Sequence, residues 1–278
     1  MKQSSGIKIT VMMFFEYLVW SAWYVTIATF MGQTLKFDGT EIGLVYSALS
    51  IAAILSPVFV GKIADRYFSS QNVLGALHLI CATLMYFASI QEDFLFMYVA
   101  ILLYSMSYMP TIALTNAIAM SQMENPGKQF PMVRVFGTIG WIVMGLILGY
   151  FEIEAKSTPL LISSVVSLFF GFYCFTLPNV PPKKSDDTPG IVELLGLDAL
   201  ALMKDRSFAV LIICSLLVSI PLAFYYSFTN LYLNEINVVN AAGKMTIGQI
   251  SEVGFMLLMP LMFKRMGVKN MILIGMAA

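Results

Sequence analysis

Apolar positions in this chain fall in long stretches separated by short polar turns. The alternation of about ten residues that marks a transmembrane β-strand is missing, so the pattern predicts membrane-spanning helices. Spans are expected at about 9–32, 42–64, 72–90, 95–120, 131–150, 158–177, 208–232 and 246–263, with a ninth starting near 269. Each suits a hydrocarbon core of about 30 Å at about 1.5 Å per residue. The apolar stretch after "MKQSSGIKIT" is too long for a signal peptide and lacks a small-residue cleavage site, so it is read as a retained first helix.

The polar turns add an orientation. With the N-terminus in the cytoplasm, only Lys36, Lys156 and Lys244 of the 16 Lys and Arg fall outside. That bias follows the positive-inside rule. One connection stands apart. Residues 178–207 open with "PNVPPKKSDDTPG" and continue with Leu194, Leu197, Leu200 and Leu202 near one helical face. This predicts a cytoplasmic linker carrying a short amphipathic helix. The expected plan is an all-α membrane protein: a six-helix bundle at 1–177, the linker at 178–207, and at 208–278 helices seven, eight and the start of nine. A weak repeat around Pro57 and Pro260 fits two parallel halves. The chain stops inside an apolar run, so the second half is expected to be incomplete.

Composition sharpens this reading. The chain of 278 residues is 59% hydrophobic and only 12% charged, against about 25% charged in a soluble domain. Zero net charge gives no argument for nucleic acid. Cys81, Cys174 and Cys214 lie in apolar runs without metal or disulfide spacing. No nucleophile elbow, zinc-binding HExxH or phosphate loop is present, so neither an enzyme nor a cofactor is expected. A receptor or scaffold would not need polar groups at depth.

Such groups are present. Glu16 lies mid-span in "MMFFEYLVWSAW", Arg134 in "PMVRVFGTIGW", and Gln249 and Glu252 in "GQISEVGFMLLMP". A charge at the bilayer centre costs at least ~2.5 kcal/mol, so these residues are expected to face a cavity or a partner. Desolvation favours the neutral carboxyl group, which makes Glu16 and Glu252 the candidates for coupling transport to protons. Helical spacing puts Glu16, Trp20 and Trp23 on one face, Arg134, Thr138 and Trp141 on another, and Gln249 with Glu252 on a third. Charges beside aromatic rings suit an uncharged polar ligand with a flat part. Pro110 interrupts the Tyr104, Tyr108, Thr111, Thr115 stripe and is expected to bend its helix. Pro221 is expected to act likewise beside Tyr225, Tyr226 and Asn230. Gly137, Gly140, Gly145 and Gly149 read as a close-packing seam. The single histidine, His78, reads as a hydrogen-bonded packing residue.

"GKIADR" (61–66) resembles the loop signature of the major facilitator superfamily, in which Gly61, Asp65 and Arg66 would gate the cytoplasmic side. "TLKFDG", "IGLVYSALSIAA", "YMPT", "RVFGTIGW", "LLGLDALAL", "QISE" and "RMGVKN" together resemble the bacterial nucleoside:proton symporter family. The resemblance implies a twelve-helix carrier of the cytoplasmic membrane, read here as a monomer, that imports nucleosides with protons. It also implies ligand contacts at Arg134, Thr138 and Trp141, the last usually Phe, and at Gln249 and Glu252. The family's helix seven supplies a Gln and an Asn where Ala223 and Tyr226 align, and Glu16 replaces an uncharged residue. Those departures leave open a different solute, such as a sugar or sugar conjugate.

Overall fold

The structure is a computed structural model and describes residues 3–66, 68–182 and 197–277. Among them all regular structure is helical. The helices are α1 (Gln3–Ser21), α2 (Ile27–Thr29), α3 (Gly39–Arg66), α4 (Ser70–Ser89), α5 (Phe94–Ser121), α6 (Pro126–Tyr150), α7 (Thr158–Cys174), α8 (Arg206–Glu235) and α9 (Ala241–Ala277). A π-helical turn, Phe30–Thr34, follows α2, and a 3-10 helix, Leu197–Lys204, precedes α8.

Local chemistry explains several boundaries. Asp38 and Glu41 form a reciprocal capping box at α3: Asp38 Oδ1 accepts from Thr40 N at 2.7 Å and Glu41 N at 2.8 Å, and Glu41 Oε2 accepts from Asp38 N at 2.9 Å. Asp93 caps α5 through Leu95 N and Phe96 N, and Asp205 caps α8 through Phe208 N. The first expected span is not one helix. It ends at Ser21, passes through a turn over residues 22–26, and resumes as α2 and the π-helical turn.

α3 to α6 and α8 are long and apolar enough to cross a membrane. α9 makes a sixth if its two arms, Ala241–Met259 and Leu261–Gly275, bent by 109°, count as one span. Gly267 in the second arm has φ 73°, a left-handed value that suits glycine. α7 is apolar but has 17 residues. α5 continues as a helix through Pro110, and α8 through Pro221. Leu200 and Leu202 of the 3-10 helix are exposed; the part of the expected amphipathic segment at 183–196 lies outside the described residues.

α1 lies between α5, α6 and α7, with α4 packed on α5 and α7, and α3 on α5. Serines of α7 tie the bundle together: Ser163 Oγ donates to Val19 O, Ser164 Oγ to Ala82 O and Ser167 Oγ to His78 O. The glycines of α6 serve two neighbours. A Cβ on Gly140 would overlap Phe14 O of α1. A Cβ on Gly149 would overlap the Asn240 side chain and meet Gly243 N of α9 at 2.6 Å. Only a bare Cα allows both approaches, so α6 holds α1 and α9 at short range on opposite stretches of one helix.

Candidate functional site

α1, α6, α8 and α9 converge on a cavity of about 190 Å³. α6 contributes Arg134, Thr138 and Trp141, α8 contributes Tyr226, and α9 contributes Gln249 and Glu252. α1 adds Tyr17 and Trp20, and the following turn adds Tyr24. Residues from opposite ends of the chain thus face one space.

The wall is aromatic. The Trp20 and Trp141 centroids lie 5.6 Å apart, edge to face, and Trp141 meets Tyr226 at 5.9 Å. Tyr24 bridges to Tyr226 at 6.1 Å. Such rings offer flat apolar surface at small entropic cost. The polar groups lie among them. Glu252 Oε1 accepts from Thr138 Oγ1 at 3.2 Å, joining α9 to α6. The Arg134 guanidinium sits 3.8 Å over the Tyr17 ring, a cation–π contact. Among the described residues no ion pair joins Arg134 to Glu252, although both line the cavity. Trp20 Nε1 and Arg134 Nη1 are buried without a hydrogen-bond partner. An unmet buried donor costs about 1–3 kcal/mol, a cost that functional sites tolerate.

Two expected site residues lie elsewhere. Trp23 is fully buried, donates from Nε1 to Tyr104 Oη at 3.2 Å and does not line the cavity. The cause is its face: Trp23 lies seven residues from Glu16, on the side turned to α4 and α5, while Tyr17, Trp20 and Tyr24 turn to the cavity. Glu16 is also fully buried and away from the cavity. Its Oε2 lies 3.1 Å from His78 Nε2, and its Oε1 accepts from Thr111 Oγ1 at 2.6 Å. His78 Nδ1 contacts Ser167 Oγ at 3.1 Å, and Tyr108 Oη donates to Glu16 O at 2.6 Å. This chain of polar groups links α1, α4, α5 and α7 inside the apolar core. Pro110 is buried in α5 beside Thr111. Gly61, Asp65 and Arg66 end α3, and their side chains lie outside the described residues. Tyr17 and Tyr24 were not singled out from sequence. Their signal was there: Tyr17, Trp20 and Tyr24 follow a helical spacing on the first span. Among the described residues no group of three or more His, Cys, Asp or Glu could hold a metal ion.

A bundle of long apolar helices around a polar, aromatic cavity is the architecture of a multi-pass membrane protein. Comparison with known proteins makes this specific. Residues 2–278 match the family model described as Nucleoside H+ symporter. YegT of Escherichia coli (strain K12) is 46% identical over 275 residues, covering 96% of this chain and 64% of that protein. The xanthosine permease of Escherichia coli (strain K12) is 33% identical over 289 residues, covering 99% of this chain and 69% of the permease. The crystal structure of the nucleoside transporter NupG superposes with a TM-score of 0.82 at 32% identity, covering 97% of this chain and 70% of that one. The chain therefore belongs to the nucleoside–proton symporter family and has a fold of the major facilitator type. It spans just under two thirds of the length of YegT.

Proposed function

We propose that this chain forms the greater part of a carrier that imports nucleosides with protons by alternating access. The observation that supports this best is the cavity that gathers Arg134, Thr138 and Trp141 opposite Tyr226, Gln249 and Glu252. The rings would pack on a base, Gln249 and Thr138 would bond its polar edge, and Glu252 would take sugar hydroxyls or the coupling proton. Residues 1–177 and 208–278 act as the two moving units, joined by the 178–207 linker. The carrier works as a monomer in a bacterial cytoplasmic membrane with its N-terminus inside, as the Lys and Arg distribution suggests. Gly61, Asp65 and Arg66 belong to the cytoplasmic gate.

Coupling is assigned first to Glu252, which faces the cavity, and second to Glu16 with His78, which does not. Neutralising a cavity carboxylate lowers the cost of closing the halves over it. Tyr226 of α8 favours a second reading: an aromatic phenol in the wall suits a different base, or a sugar conjugate with a flat aglycone.

The test is uptake of labelled uridine and adenosine by proteoliposomes, with and without an inward proton gradient. Gradient-driven accumulation is expected, lost or uncoupled in Glu252→Gln. No uptake by folded protein sinks the nucleoside reading. Retained coupling in Glu252→Gln, with loss in Glu16→Gln, moves the proton site to the Glu16–His78 pair.

A further inference from the structure

Glu154 lies in the short connection between α6 and α7, yet it is 4% exposed. Its two oxygens accept three N–H donors from the second part of the chain. Oε2 accepts from Asn230 Nδ2 at 3.2 Å and Asn234 Nδ2 at 2.6 Å, both on α8. Oε1 accepts from Ala242 N at 2.7 Å, in the first turn of α9. That backbone N–H has no partner within its own helix, and the positive end of the helix dipole favours the carboxylate there. The cluster extends one bond further, because Thr29 Oγ1 of α2 donates to Asn230 Oδ1 at 2.6 Å. Asn230 therefore donates from its amide to Glu154, while its Oδ1 accepts from Thr29 and, at 3.3 Å, from Asn234 Nδ2.

The donors stand close to the cavity wall. Asn230 is one helical turn beyond Tyr226 on α8, and Ala242 is two turns before Gln249 on α9. One carboxylate thus sets the position of both helices that the second part of the chain brings to the cavity. It does so at the end of the bundle that holds Lys36, Lys156 and Lys244, and α6 and α9 meet through Gly145 and Gly149 on the same side. A hydrogen bond to a charged acceptor is stronger than a neutral one. Losing the acceptor leaves the Ala242 N–H unmet and takes from Asn230 Nδ2 its oxygen partner, while Asn234 Nδ2 keeps Asn230 O at 2.9 Å.

We infer that Glu154 is the outer latch of the carrier: its bonds to Asn230, Asn234 and the α9 N-terminus hold the cavity shut on the outside, and their release opens it there. This rests on the alternating-access reading, and its test needs no substrate, so failure of either can be told apart.

The test uses intact cells, an impermeant maleimide, and a reporter cysteine, Tyr226→Cys, in a Cys214→Ser background. Glu154→Gln is expected to raise labelling of the reporter from outside about tenfold, because weaker bonds at the latch shift the population toward the outward-open state. Exchanging the groups, Glu154→Gln with Asn234→Asp, restores a carboxylate opposite an amide and is expected to return labelling toward the parent rate. Should Glu154→Gln fail to reach the membrane, Thr29→Val deletes only the hydroxyl donor to Asn230 and is expected to raise labelling about threefold. Unchanged labelling in whichever of these two variants is folded overturns the latch. A rise that the exchange variant does not reverse overturns the direct pairing and leaves general loosening as the cause.

Discussion

Glu16 and Glu252 are both carboxylates within apolar helices, but their surroundings are opposite. Glu16 has no exposed surface; one oxygen meets His78 and the other meets Thr111. Glu252 is exposed at the edge of the cavity and holds one hydrogen bond, from Thr138. The first carboxylate has its partners built in, at the cost of burying a charge or a proton with them. The second is left with acceptor capacity for something that arrives. A carboxylate at membrane depth is thus a single sequence signal with two physical meanings, and its neighbours across the bundle decide between them.

The contrast can be broken most severely at Glu16. Glu16→Ala strips His78 Nε2 of its partner in a sealed core and leaves Thr111 Oγ1 only the Tyr108 carbonyl, and a loss of about 3–5 kcal/mol is expected in detergent unfolding curves. A loss under about 1 kcal/mol would mean the network is not structural. Next comes Gly140→Ala, whose methyl would push into Phe14 O of α1; a loss of about 1–3 kcal/mol is expected from the same curves. Thr138→Val removes one hydroxyl from the cavity wall and should cost about 1 kcal/mol, with weaker solute binding measured by calorimetry. The smallest stability effect belongs to Glu252→Gln, within about 0.5 kcal/mol, although transport is expected to fail. If Glu252→Gln unfolded as readily as Glu16→Ala, the two carboxylates would be the same kind of site after all.

Much of this was legible in advance. Long apolar runs located α3 to α8 to within a few residues, because burial in lipid demands continuous hydrophobicity and internally satisfied backbone. Helical spacing grouped Arg134 with Thr138 and Trp141, and Gln249 with Glu252, and both groups line the cavity. The misses share a cause. Trp23 shares a face with Glu16, as its spacing says, but α4 and α5 cover that face and the cavity lies on the other. The Glu16–His78 contact joins helices 62 residues apart, which no local spacing encodes. Glu154 carries no local signal, since what makes it unusual is the α9 N-terminus that packs over it.

The three tryptophans give the protein its own optical readout. Trp20 and Trp141 line the cavity within 5.6 Å of each other, while Trp23 is sealed against Tyr104. A solute entering between the rings would shield or quench two emitters and leave the third unchanged. Trp23→Phe removes that constant background, so the remaining emission would follow occupancy of the cavity in real time, without any label attached.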